Sequence, residues 1–126
     1  MKRIAIEEHF WTEELRNYLS AGKSNLSGVV SRDISDKLLD VGEGRLRDMD
    51  ESGIDMQVLC MASGFEPFEA AEATAMSKKL NDRIAEVIQG CPQRFAGFAA
   101  IAPQDPERAA GEMERAVKDL GLKGSR

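Results

Sequence analysis

Histidine is almost missing from this chain: among 126 residues there is one, His9. No second imidazole is available to complete a metal site from within these residues. Cysteine is scarce as well. Cys60 sits in an apolar run and Cys91 follows a helical pattern, with no CxxC spacing, so the pair reads as two reduced thiols rather than a disulfide. No apolar run approaches the roughly 20 residues that cross a bilayer. Met1-Lys2-Arg3 leads directly into strand-like and acidic residues rather than a signal-peptide core, and the expectation is a cytoplasmic protein without a membrane partner. Blocks of like charge are also lacking. With 17 basic and 22 acidic residues mixed along the chain and a net charge of -5, the composition argues against nucleic acid as a partner. A small anionic ligand would need local positive charge, such as a metal.

What is present suits one globular unit over residues 1–126, 42% hydrophobic and 31% charged. Three runs read as strands: Arg3 to Glu7, Ile54 to Met61, and Arg94 to Ile101. The last two are nearly continuous in apolar character, as strands covered on both faces are. Helical spacing runs from Phe68 to Gln89 through Ala73, Met76, Leu80, Ile84, Val87 and Ile88, with Pro67 suited to the first turn and Gly90 to the cap. A second helix is expected from Pro106 to Leu120. Asp105 serves as its N-cap, Ala109, Ala110, Met113, Ala116 and Val117 as its inner face, and Gly121 as its close. A shorter helix, Arg45 to Ser52, turns its Leu46 and Met49 inward and stops at Gly53.

Upstream, Trp11 to Leu19 suits a helical turn, and Ser20 to Ser35 reads as a long loop. Gly42-Glu43-Gly44 follows no strand and has no third glycine in register, so it does not read as a phosphate loop. Alternation of strand and helix implies a parallel sheet with right-handed crossovers, strands one to three adjacent in order. Leu122 to Arg126 looks like the entry to a fourth strand. The fold class is α/β. Three strand-helix units and a stub form the N-terminal portion of a (β/α)8 barrel, which needs about 250 residues when closed. The functional protein is therefore expected to continue beyond Arg126 or to bury its open edges in a homo-oligomer.

Chemistry concentrates at the end of the first strand. Side chains two apart on a strand share a face, so Glu7 and His9 are expected to aim together while Glu8 points away. A carboxylate and an imidazole converging there make half of a site for a zinc-like or manganese-like ion. By spacing alone, an ordinary hydrogen-bonded histidine stays open as the reading. Ala62 and Ser63, after the second strand, are candidates to line a substrate pocket, with an ordinary turn as the alternative. Phe10 and Trp11 are candidates for an aromatic wall or for plain hydrophobic packing.

Several motifs in order carry a resemblance. They are Ile6-Glu7-Glu8-His9-Phe10, the run Arg45-Leu46-Arg47-Asp48-Met49-Asp50-Glu51-Ser52-Gly53-Ile54, Leu80-Asn81-Asp82, and Pro92-Gln93-Arg94-Phe95. Gln104-Asp105-Pro106 ahead of Gly121-Leu122-Lys123-Gly124 completes the set. Together they resemble the N-terminal third of the amidohydrolase-2 branch of the amidohydrolase superfamily, in particular its gamma-resorcylate, 2,3-dihydroxybenzoate and 5-carboxyvanillate decarboxylases. The resemblance implies a (β/α)8 barrel in which Glu7 and His9 ligate a divalent manganese or zinc ion. It also implies non-oxidative decarboxylation of a small hydroxylated aromatic carboxylic acid by the full-length parent. The family's further ligands, a histidine and an aspartate, and its reacting histidine belong to later strands, so the 126 residues alone are expected to be inactive. Glu rather than His at position 7 favours the decarboxylases over His-x-His hydrolases. The alternatives are a lactone or C–O/C–N bond hydrolase or a hydratase of the same superfamily, and a non-catalytic half-barrel that assembles with itself or a partner.

Overall fold

The computed structural model describes residues 1–20, 31–61, 65 and 68–125. Its elements in order are β1 (Ile4–Phe10), α1 (Glu13–Tyr18), α2 (Arg32–Leu39), α3 (Glu43–Ser52), β2 (Met56–Met61), α4 (Ala70–Gly90), β3 (Phe95–Gly97) and α5 (Pro106–Lys118). The strands form one parallel sheet in the order β1-β2-β3, as the alternation of signals predicts. Beyond β3, Ala99 bridges Ser125 in parallel, the Ala99 N–H donates to Gly124 at 2.7 Å, and the Lys123 N–H donates to Gly97 at 2.9 Å. The expected fourth strand thus begins beside the third.

Among the described elements α4 packs against β3 and α2 against β1. On β2, Val58, Leu59 and Cys60 are all buried, which explains the unbroken apolar run. In α4 the predicted stripe of Ala73, Met76, Leu80, Ile84 and Val87 is buried. The helix approaches so closely that a Cβ at Gly97 would lie 2.3 Å from Ile84 Cγ2, so only glycine fits there. Gly53 closes α3 in the left-handed conformation, φ 67°, and lets β2 start almost at once.

Several local expectations are corrected. Gly90 is the last helical residue of α4 and Cys91, at φ -149°, caps it, so no left-handed glycine is used there. Pro67 lies outside the described residues. In α5 the N-cap is Asp105, whose carboxylate accepts from the Arg108 N–H at 3.1 Å. Ala110 and Val117, however, are exposed. The inner face instead carries Ala109, Glu112, Met113 and Ala116, because a charged residue takes a place that apolar counting gives to its neighbours. The Ser20 to Ser35 loop is interrupted: Ser31 accepts from the Ile34 N–H and starts α2, while 21–30 lie outside the described residues. The first strand runs on to Phe10 and is not buried along its length, since Ile4 and Ile6 are 52% and 67% exposed. That face of β1 has no layer over it among the described residues.

Glu112 is buried because Asn81 and Arg115 satisfy it. Asn81 Nδ2 donates to the Ala100 carbonyl at 2.9 Å and to Glu112 Oε1 at 2.8 Å, and its Oδ1 accepts from the Ala100 N–H at 2.7 Å. Arg115 adds bonds of 2.9 and 2.8 Å to the same carboxylate. One amide therefore ties α4 and α5 to the chain just past β3, at the end of the sheet where barrel active sites lie. Leucine at Asn81 fills similar space but orphans two backbone groups of Ala100. It is expected to cost about 3 kcal/mol or more, measured by urea unfolding in a barrel-length polypeptide containing this chain; a loss below about 1 kcal/mol would contradict the buried network.

Burial pushes the Glu112 carboxyl up, but its bonds from Arg115 and Asn81 outweigh burial and hold it below the ordinary carboxylate value. Its stabilising contribution is therefore complete above that ordinary value and is lost as pH falls through the lower, folded-state one. Glu112→Gln should flatten the acid limb of the stability curve.

Candidate metal centre

The end of β1 does not continue the simple pleat. Ala5 pairs with Gln57 and Glu8 with Leu59, so β1 spends one residue more than β2 between those two pairs. The extra residue is accommodated by a β-bulge, and Glu7 takes up the left-handed conformation, φ 60°, which costs a non-glycine residue about 1 kcal/mol. Strict alternation therefore cannot be applied across residues 5 to 8, and it no longer argues for a common aim of Glu7 and His9. Past the bulge the register sets Glu8 beside Leu59 and His9 beside Cys60.

Glu7, Glu8 and His9 all line one open cleft of about 390 Å³, with Lys37, Asp40, Arg45 and Gln57 among its other walls. The cleft thus brings the two expected ligands together. Glu8 joins them there and is not turned away: Gln57 Nε2 donates to its carboxylate at 3.4 Å. Phe10, in contrast, is 1% exposed and packs into the core with Leu15 and Leu59, not into the cleft. Trp11 is also buried; its backbone N–H donates to Leu38 at 2.7 Å, while its indole N–H has no acceptor among the described residues. Ala62 and Ser63 lie outside the described residues.

Arg45, on the first turn of α3, was not singled out as a site residue in the sequence, yet it reaches the centre of this arrangement. Its guanidinium donates to the main-chain carbonyls of Asp40 (2.6 Å), His9 (2.8 Å) and Lys37 (3.2 Å), and to Gln57 Oε1 (3.2 Å). Burial draws its pKa down, opposed by the nearby Glu8, Asp40 and Asp48 carboxylates, and the group stays cationic as guanidinium does in proteins. Its place within the Arg45-to-Ile54 motif was visible; its reach to β1 depends on how α3 packs.

The donors fit a divalent ion only as part of a set. Among the described residues no group of three or more His, Cys, Asp or Glu side chains is placed to hold a metal. Glu7 and His9 supply one carboxylate and one imidazole, and a four-coordinate or larger shell needs more ligands from other elements.

Comparison with known proteins places this partial site in context. The family model described as Amidohydrolase matches residues 6–126. The chain belongs to the amidohydrolase family. A gamma-resorcylate decarboxylase from Polaromonas is 38% identical over 125 residues, which is 98% of this chain and 37% of that protein. The crystal structure of a 5-carboxyvanillate decarboxylase from Sphingomonas paucimobilis superposes with a TM-score of 0.91 at 32% identity, covering 98% of this chain and 42% of that one. A 5-carboxyvanillate decarboxylase from Novosphingobium aromaticivorans, solved with manganese and 4-hydroxy-3-methoxy-5-nitrobenzoic acid, gives 0.88 at 36% identity, covering 98% and 40%. This amidohydrolase chain thus spans roughly two fifths of the length of these relatives and is a partial barrel. No described helix is long and apolar enough to cross a membrane.

Proposed function

We propose that residues 1–126 are the opening units of a metal-dependent carboxy-lyase that removes carbon dioxide from a small hydroxylated aromatic acid. The observation that carries this reading is the meeting of Glu7 and His9 in one cleft at the end of β1, in a chain similar throughout to aromatic-acid decarboxylases. Glu7 and His9 are the metal ligands contributed by this chain; the family resemblance assigns the reacting histidine to later strands, and the sequence holds no second histidine. When bound, a divalent ion such as manganese supplies positive charge to orient the substrate's carboxylate and adjacent hydroxyl. In the reaction the bond between ring and carboxyl carbon breaks, its electron pair stays on the ring carbon, and a proton fills that position. Ala62 and Ser63, which follow β2 in sequence, are the residues of this chain proposed to line the substrate pocket. A cytoplasmic location agrees with Cys60 and Cys91 forming no disulfide.

The test is to supply a barrel-length polypeptide containing this chain with manganese and a panel of hydroxybenzoates in deuterated water. Carbon dioxide release with one deuterium on the ring carbon that lost it is expected. Hydrolysis of lactones or amides with no turnover of the acids would reject decarboxylation in favour of a hydrolase.

A further inference from the structure

We propose that Arg45 is a positioning residue for the metal-ligating pair, acting through the main chain of β1; this rests on the metal-centre reading above. Glu7 is held in a conformation that costs energy, and such a conformation persists only where neighbours over-determine it. The neighbours on the C-terminal side of the bulge are Glu8, held by Gln57, and His9, whose carbonyl accepts from Arg45 at 2.8 Å. Arg45 also bonds Gln57, so one guanidinium fixes the residue after the bulge and, through one amide, the residue between the two ligands. Its remaining bonds, to Lys37 and Asp40 carbonyls, anchor it to the end of α2. Packing alone does not set the place of His9, which lies half-buried outside the core. A planar fork with five donors can satisfy several carbonyls at fixed angles, which lysine cannot.

The structure supplies its own control. At the opposite end of the sheet Arg94 also clamps carbonyls, those of Asp55 (2.9 Å) and Ile54 (3.2 Å), and pairs with Asp50 at 2.7 Å. It serves the fold without touching the cleft.

The experiment is manganese titration, followed by the electron paramagnetic resonance of the free ion, on a barrel-length polypeptide containing this chain. Arg45→Met should weaken manganese binding roughly 10- to 100-fold, as loss of an outer partner of a ligand does, and Arg45→Lys should fall between it and the wild type. Arg94→Met should lower the melting temperature while keeping affinity within about twofold, because it removes packing of comparable kind away from the ligands. Unchanged affinity in folded Arg45→Met, or an equal loss in Arg94→Met, overturns the assignment. If Arg45→Met does not fold, wild-type affinity in Arg45→Lys overturns it instead. A wild type that takes up no manganese rejects the metal centre itself and this proposal with it, an outcome distinct from a binding wild type beside an unaffected variant.

Discussion

Alanine at Glu7 or at His9 is expected to leave a barrel-length protein folded but without its metal and without turnover. Each substitution deletes a direct ligand under the proposed reading, so the loss of affinity should exceed the roughly 10- to 100-fold that follows removal of an outer partner. Stability should change little. Glu7 is exposed, His9 is half-buried, and neither belongs to the hydrophobic core, which is built from Phe10, Leu15, Leu59, Leu80 and Ile84 among others. A third substitution separates the two properties further. Glu7→Gly removes the same carboxylate but relieves a left-handed backbone, φ 60°, that glycine adopts freely. It should lose metal as Glu7→Ala does while gaining up to about 1 kcal/mol in stability over Glu7→Ala. Metal analysis and thermal unfolding on the same samples check both, and full metal content with full activity in either alanine variant rejects the ligand assignment.

That bulge marks the boundary of what the sequence made legible. Elements with long periodic signals were readable: α4 from its stripe, α5 from Asp105-Pro106, and the parallel order of three strands from their alternation with helices. Their burial is dictated locally, so composition records it. The helix α2 was missed because none of its residues is fully buried and Ser, Gly and Asn dominate what precedes it. Its Ser31 cap and the four-residue spacing of Ile34 and Leu38 were the available signals. The bulge left none, since no glycine marks it and its cost is met by distant partners, Arg45 on α3 and Gln57 on β2. Glu112 was hidden for a related reason. Its burial depends on Asn81, 31 residues away in sequence, and a charged residue between apolar ones reads as solvent-facing until that partner is known.

Purified as these 126 residues alone, the polypeptide is expected to associate or to lack a cooperative transition. Among the described residues β1 forms one edge of the sheet, and at the other edge β3 is followed only by the bridge between Ala99 and Ser125. Unpaired strand edges template further pairing, and on β1 the bulge with Glu7 and Glu8 blunts only the later half, leaving Ile4 to Ile6 as the open stretch. The apolar cost lies on the same strand. Ile4 and Ile6 stand 52% and 67% exposed, and β1 carries them on the edge that pairs with no other described strand. Fully burying such a side chain contributes about 1.5–3 kcal/mol, and about half to two thirds of that is forgone at each, which counts against the 5–15 kcal/mol that keeps an ordinary domain folded. Supplying the remaining barrel strands, or a second copy that covers the same edge, should restore a single cooperative transition. Light scattering combined with thermal unfolding distinguishes these states: a cooperative, strictly monomeric 13.8 kDa species with no partner added would show that the exposed edge carries no such cost and that the half-barrel is self-sufficient.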